Sequence, residues 1–529
     1  MSTPTRRNLL RTTAIAAAAG ITVHSGAAGA APAERSAPFG PAVVPPGDPR
    51  YPDLVGRRYN LRFLGNPERV HVLGSTAQVV RAVQDAVRAG KRIAVRSGGH
   101  CFEDFVDSPQ VRVVLDLSGM TGVYYDPHRR AFAVEAGATL GEVYRRLFLG
   151  WGVTIPGGYC PEVGAGGHVQ GGGYGPLCRL LGLVVDHLYA VEVVVVNRDG
   201  TARSVVATRE PDDPHRDLWW AHTGGGGGNF GVVTRYWFRS PGARGSDPER
   251  LLPRPPASVL TFSMEWSWDG LGPEAFARLV RNHGRWFERH SAPGSRYAGL
   301  YSELLLFRRP LGRHMMLGQV AGENAERLLD EHVSALADGF APPSARSQVR
   351  MPWLAAGLRG PGEDPGRWRL KCKAAYLRRA LTDRQVDVAY QHLTSDVPGL
   401  FSGMVSLNSY GGQVNATAPD ATAASQRDSI LKLFYLAAWP DAADDALHVG
   451  WLREFYRDMY ADTGGVPVPG AVNDGSFINY PDVDLADPAW NTSGVAWQTL
   501  YYKDNYARLR AAKARWDPRG VFRHALSIR

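Results

Sequence analysis

The sequence predicts an α+β fold, and three observations carry that prediction. Short strand-like runs are mixed with amphipathic helices instead of alternating with them in a strict repeat. One pair of runs, Val191–Val196 and Ala202–Thr208, is joined at Asp199-Gly200 and reads as an antiparallel hairpin. No strand passes through GxGxxG into a helix, the unit that marks a Rossmann sheet.

The elements follow in order. Ser75-Thr76-Ala77-Gln78 reads as a capping box opening a helix whose apolar stripe is Val79, Val80, Val83, Ala86 and Val87, ended by Gly90. Lys91 to Val95 is a strand that delivers Arg96-Ser97-Gly98-Gly99-His100 into a loop. Val111 to Leu117 and Ala131 to Glu135 are strands, and Leu140 to Leu149 is helical. Phe230 to Phe238 alternates as a strand after the run Gly224–Gly228. Ser240 to Pro256, rich in Pro, Gly and charge, reads as a domain boundary. Beyond it Glu274–Arg289 and Glu323–Ala337 are helical, and Gly360 to Arg367 is a loop.

A chain of 529 residues buries a large core and divides into two or three domains. The net charge of +9 is modest for this length, and no basic run with interleaved aromatics indicates nucleic-acid binding. Residues 1–33 read as a targeting signal. Thr5-Arg6-Arg7-Asn8-Leu9-Leu10-Arg11 fits the twin-arginine pattern, an alanine-rich stretch follows, and Ala28-Gly29-Ala30 and Ala31-Pro32-Ala33 are both plausible cleavage sites. That route exports folded proteins, so the expectation is a secreted protein loaded with its cofactor before export, with no membrane span. The four cysteines, Cys101, Cys160, Cys178 and Cys372, are too few for a disulfide-stapled fold. No HExxH spacing or Cys/His cluster suggests a metal.

Two glycine-rich segments carry the chemistry. One is Arg96-Ser97-Gly98-Gly99-His100; the other runs from Gly157-Gly158-Tyr159-Cys160 through Val163-Gly164-Ala165-Gly166-Gly167-His168 to Gly171-Gly172-Gly173. Each offers one nucleophilic side chain from a backbone that can approach a flat or anionic ligand closely. This pattern resembles the flavoprotein oxidases of the berberine bridge enzyme family, whose FAD is attached to both a histidine and a cysteine. The tail Tyr502-Lys503-Asp504-Asn505-Tyr506 with Trp516-Asp517-Pro518-Arg519-Gly520 is similar to that family's closing signature. Within it, the closer likeness is to actinobacterial oxidases acting on sugars of glycosylated antibiotics.

The resemblance implies a vanillyl-alcohol-oxidase (PCMH)-type FAD-binding domain at 34–240, with its core from about 66. It implies a substrate domain at 257–470 with an antiparallel sheet flanked by helices, and a C-terminal segment, 471–529, returning to the FAD domain. It makes His100 and Cys160 the covalent attachment points of FAD. Arg96, Ser97, Gly98 and Gly99 then cradle the pyrophosphate. Val163, Gly164, Gly167 and His168 lie along the flavin, and a valine at 163 goes with oxidases. Gly228, Asn229, Gly231 and Val232 approach the isoalloxazine and ribityl chain, and Asn505 and Tyr506 join from the tail. Cys101 has no role in the pattern.

Oxidising an alcohol requires a base for the hydroxyl proton while hydride leaves carbon for the flavin. Tyr480, in Asn479-Tyr480-Pro481-Asp482, matches a catalytic tyrosine of the sugar oxidases, Tyr410 a second, and Tyr174 is a third candidate. A tyrosine of ordinary pKa, about 10, is a poor base at neutral pH, so cationic or donor neighbours are expected to lower it. The implied activity is an oxidase of CH–OH groups on a sugar or glycosylated natural product, giving H2O2 from O2, in a monomer or homodimer. The alternatives are a flavin dehydrogenase with another acceptor, and an oxidase of free oligosaccharides.

Overall fold

The computed structural model describes residues 39–359 and 368–529. The leader expected at 1–33 and the loop at 360–367 lie outside the described residues. Residues 39–529 form one compact unit built on three sheets.

The first sheet contains β1 (Ala42–Val44), β2 (Arg69–Val72), β3 (Ile93–Arg96) and β4 (Val113–Asp116) in the order β1-β2-β4-β3. β2 and β3 both run parallel to β4. The helix α1 (Thr76–Arg88) connects β2 to β3, as a parallel arrangement requires. It buries Val79, Ala82, Val83 and Ala86. Ser75 Oγ accepts from the Gln78 amide, but Gln78 Oε1 caps the amide of Gly74, so the expected box closes one residue upstream.

The second sheet, β5 (Val123–Asp126), β6 (Ala131–Glu135), β7 (Leu188–Val196), β8 (Ala202–Thr208) and β9 (Val232–Phe238), is antiparallel in the order β5-β6-β9-β7-β8. α2 (Leu140–Trp151) opens on a full capping box between Thr139 and Glu142, which sequence reading passed over, and stops where Gly152 takes φ 68°. The short α3 (Ala165–Gln170) lies within the second glycine segment.

The third sheet has seven antiparallel strands: β10 (Ser258–Ser267), β11 (Leu300–Phe307), β12 (Arg313–Ala321), β13 (Ala345–Pro352), β14 (Arg369–Leu377), β15 (Met404–Ser409) and β16 (Leu431–Trp439). Their order is β13-β10-β12-β11-β15-β16-β14. The helices α4 (Pro273–His290), α5 (Ala325–Leu336), α6 (Asp383–Thr394) and α7 (Asp445–Met459) cover one face. Leu300, Ser302, Leu304 and Leu306 of β11 are buried, and Ser302 Oγ meets His332 Nε2 of α5 at 3.4 Å. By strand alternation, Tyr301, Glu303 and Leu305 point to the other face.

The chain ends by folding back. α8 (Tyr506–Trp516) presents Lys513, whose Nζ donates to the carbonyl of Asn229 at 2.6 Å and pairs with Asp517. Tyr502 donates to Gly225 O at 3.0 Å, and the Ile528 amide to Asn229 Oδ1 at 3.0 Å. The tail therefore clamps the run Gly224–Gly228. The four cysteines are free thiols.

Candidate active site

A cavity of about 910 Å³ lies between the glycine loops and the uncovered face of the seven-stranded sheet. His100 and Cys160 both line it, as do Gly98, Gly99, Val163, Gly164, Gly167 and His168. Gly228, Asn229, Gly231 and Val232 line it as well. Across from them stand Tyr301, Glu303, Lys432 and Phe434 of the sheet, with Tyr174 and Tyr480.

The two nucleophile-bearing loops touch backbone to backbone. A Cβ on Gly98 would run into the amide of Gly164, and one on Gly164 would meet Ser97 Oγ and the Gly98 amide. Glycine at both positions is thus a packing requirement. Tyr144 donates to Gly158 O at 2.5 Å, and the Gly158 amide donates to His168 Nε2 at 3.2 Å, which fixes the approach to Cys160. Burial, helped by Lys432, lowers the His168 pKa to about 4, so the ring is a neutral acceptor there. The His100 ring stacks on Tyr59 with centroids 4.9 Å apart. Cys160 Sγ lies 3.5 Å from Glu162 Oε2, and burial together with that carboxylate pushes the thiol up to about 11.

These features fit a flavin dinucleotide. Both nucleophiles open on one cavity, glycine backbone takes the place of side chains around it, and the volume is at the upper end for a ligand site. Gly226 and Gly228 adopt φ of 83° and 73°, where a side chain would be strained. Ser97 lines the cavity as well, and so does Arg96. Its guanidinium is buried against Asp116 at 2.8 Å, beside Arg57, so it braces the loop from behind. Ser97 Oγ donates to Ala136 O at 2.6 Å.

At the inner end, Tyr480 packs against Phe102, Phe434 and Phe477. Its hydroxyl has no hydrogen-bond partner among the described residues. Lys432 Nζ stands 4.5 Å from the Tyr480 ring centroid, 3.8 Å from that of Tyr174 and 4.7 Å from that of Phe477. A cation over such faces is attracted by the ring quadrupoles. Burial lowers the Lys432 pKa to about 7 despite the pull of Glu303. Glu303 accepts from Tyr301, and from Tyr159 at 3.3 Å. Burial raises it, while those hydroxyls and Lys432 hold it down. Burial first, then Glu303, raises Tyr480 well above the ordinary phenol. The cation expected beside Tyr480 is therefore present, but the phenol stays protonated at rest.

Three expected residues lie elsewhere. Tyr410 is behind the cavity wall, its ring tilted against Tyr174 with centroids 5.5 Å apart, and its hydroxyl donates to Gln426 O at 3.2 Å. The strand that carries it turns at Gly411 and puts its ring into the core. Asn505 spends its side-chain amide on the carbonyls of Pro419 and Thr422, and Tyr506 donates to Arg529 O. Both secure the tail. The end of the tail reaches the cavity with Phe522, Arg523 and His524, of which His524 stacks on Phe105 at 3.9 Å and meets Gly227 O at 3.1 Å. Glu303 and Lys432 were not anticipated either. Each sits in an apolar strand where an isolated charge is the only signal.

The sequence matches the FAD binding domain model over residues 67–205 and the berberine and berberine-like model over 476–529. It is 53% identical to the aclacinomycin-N/aclacinomycin-A oxidase of Streptomyces galilaeus, covering 99% of this chain and 98% of that one. It is 33% identical to the hexose oxidase of Chondrus crispus over 91% and 93% of the two. Among solved structures, a glycopeptide hexose oxidase complexed with teicoplanin superposes with a TM-score of 0.90 at 55% identity, over 93% of this chain and 99% of that one.

Proposed function

Because the chain belongs to the berberine and berberine-like family of FAD-linked oxidases, we propose that it oxidises a hydroxyl on the sugar of a glycosylated natural product, reducing O2 to H2O2. The observation that carries this reading is the Tyr480 hydroxyl, without a hydrogen-bond partner among the described residues and with Lys432 Nζ over its ring, in the cavity that His100 and Cys160 also line. FAD bound there supplies the two-electron acceptor that takes hydride from the alcohol carbon and is reoxidised by O2.

The chain's own residues supply the proton chemistry. Tyr480 O accepts the proton of the substrate hydroxyl, and Lys432 stabilises the negative charge on the phenol. The pair acts as a unit. With two protons it holds no base; once the lysine's proton has left, Tyr480 O can take the substrate's proton as its own passes toward Lys432. Glu303 faces both groups and favours the charged lysine. The walls around Tyr480 are aromatic, which excludes water from the reacting atoms and strengthens the Lys432–Tyr480 attraction. Tyr410 supports the position of Tyr174. Val163 lines the cavity between Cys160 and the glycine run, consistent with an oxidase.

We also assign FAD two covalent links, to His100 and to Cys160. What supports this is their place on one cavity in loops that touch at Gly98 and Gly164. Cys160, half-buried, would supply the sulfur of one link, and Glu162 Oε2, 3.5 Å from it, is the carboxylate within reach of its proton. Export through the Arg6-Arg7 leader is proposed from the sequence alone. Arg6→Lys with Arg7→Lys retains folded, yellow protein in the cell, and normal export of that variant refutes it.

The reading is tested by screening glycosylated natural products, oligosaccharides and free hexoses for H2O2 release. It predicts release with glycosides, one H2O2 per two-electron oxidation. Turnover only with an artificial acceptor, never with O2, would show a dehydrogenase instead.

A further inference from the structure

A second cluster of charges, outside the cavity, joins three parts of the site. Glu103 stands three residues after His100. Lys371 and Lys373 sit on β14, and Asp482 and Asp484 follow Tyr480 across a single proline. Lys371 Nζ is 2.7 Å from Glu103 Oε1 and 2.7 Å from Asp482 Oδ1. Lys373 Nζ is 2.6 Å from Asp482 Oδ2 and 2.8 Å from Asp484 Oδ2. Arg453 of α7 closes the set on Asp484 at 2.7 Å. Apart from Arg453, no side chain in it is more than 4% exposed. Three anions meet three cations.

Buried ion pairs of this kind add little net stability, since desolvation consumes most of the Coulombic gain. What they fix is geometry. Asp482 and Asp484 each have more than one donor and Glu103 has Lys371, so none can shift without stranding a charge. Lys371 binds an anion on the His100 loop with one hydrogen bond and an anion on the Tyr480 loop with another. Pro481 makes the lever from Asp482 to Tyr480 short and stiff. The Asp482 amide is held by Tyr501 at 3.0 Å, and Asn479 is held to His168 O at 2.9 Å. Tyr480 is thereby clamped from both sides. Phe102, between His100 and Glu103, touches the Tyr480 ring at 5.5 Å.

We infer that Lys371, through Glu103 and Asp482, is a positioning residue that sets the Tyr480 hydroxyl against a cofactor anchored at His100. The inference rests on Tyr480 being the base. Lys371 touches neither cavity nor substrate. Its effect is to hold two loops in one register, and a misplacement of about 1 Å at a reacting group costs on the order of 100-fold.

The test is a pair of variants, Lys371→Met and Lys371→Met with Glu103→Gln. The first strands Glu103 and lowers thermal stability. The second removes both members, leaves Asp482 paired with Lys373, and restores stability toward the native value. The double variant is expected to reduce its flavin anaerobically about 10- to 100-fold more slowly than the native enzyme. Substrate affinity and reoxidation by O2 change less than twofold. A merely structural role predicts that reduction recovers together with stability, and that result overturns the inference. Glu103→Leu alone removes the acceptor that Lys371 uses on the His100 loop, and serves if the others do not fold. Native-rate reduction in it is equally contrary. The double variant is also made in a Tyr480→Phe background, where no further slowing is expected. A further slowing of tenfold there shows that the cluster acts on something other than Tyr480. A native rate in Tyr480→Phe itself shows that the base assignment, not the cluster, is wrong.

Discussion

Replacing Lys432 by methionine keeps the stem's volume and removes the charge over Tyr480. The cation lies 4.5 Å from the ring centroid. At an effective dielectric of about 20, a full charge at that distance is worth roughly 3–4 kcal/mol to a tyrosinate. The reduction of flavin by substrate near neutral pH should therefore fall by about two to three orders of magnitude. The pH dependence should change with it. Lys432 titrates near 7, so below that pH the pair holds both protons and lacks a base. The native rate rises as pH passes upward through about 7, when the first proton leaves. In Lys432→Met only the phenol titrates, raised above its usual range by burial and Glu303, so the rise moves to alkaline pH. The other groups facing the pair, Glu303 and Tyr174, remain. Anaerobic stopped-flow absorbance from pH 5.5 to 10 measures both effects. A variant that reduces within threefold of the native rate, with the same inflection, refutes the electrostatic coupling.

Tyr480→Phe removes only the hydroxyl and should slow flavin reduction by about 10²–10⁴ while leaving reoxidation unchanged. Tyr410→Phe, whose hydroxyl is spent on Gln426, should cost less than tenfold in the same assay. Acid-precipitated native protein should stay yellow. His100→Ala or Cys160→Ala should leave one link each, seen as a single flavin-bearing peptide by mass spectrometry, and the double variant should release its FAD into the supernatant. Gly164→Ala forces a methyl against Ser97 and the Gly98 amide, and should lower both flavin content and thermal stability by separating the two loops.

The local elements of the first half were legible because their signals are local. Ser75 and Gln78 mark a helix start, Asp199-Gly200 a hairpin turn, and the strand at Ala131–Glu135 is bounded as expected. The glycine segments pointed to the cavity because glycine is needed wherever two backbones nearly touch, as Gly98 and Gly164 do. The sheet beyond residue 257 was not legible strand by strand. Its order places β13 beside β10 and β14 at the far edge, pairings set by long-range packing. For the same reason Glu303 and Lys432, 129 positions apart, gave no sign of facing one another. Each pairs in register with Asn408 of the intervening β15, which lines the two up across the sheet. Tyr410 misled because its motif stands beside the site in sequence pattern while its ring turns into the core.

The most direct measurement is anaerobic mixing of the purified holoenzyme with a panel of glycosylated natural products, followed by admission of air. The account predicts that a glycoside bleaches the flavin absorbance, that air restores it with stoichiometric H2O2, and that the product carries a carbonyl or carboxyl where a sugar hydroxyl stood. Flavin that no glycoside or free sugar bleaches, or that stays reduced in air after chemical reduction, would contradict it.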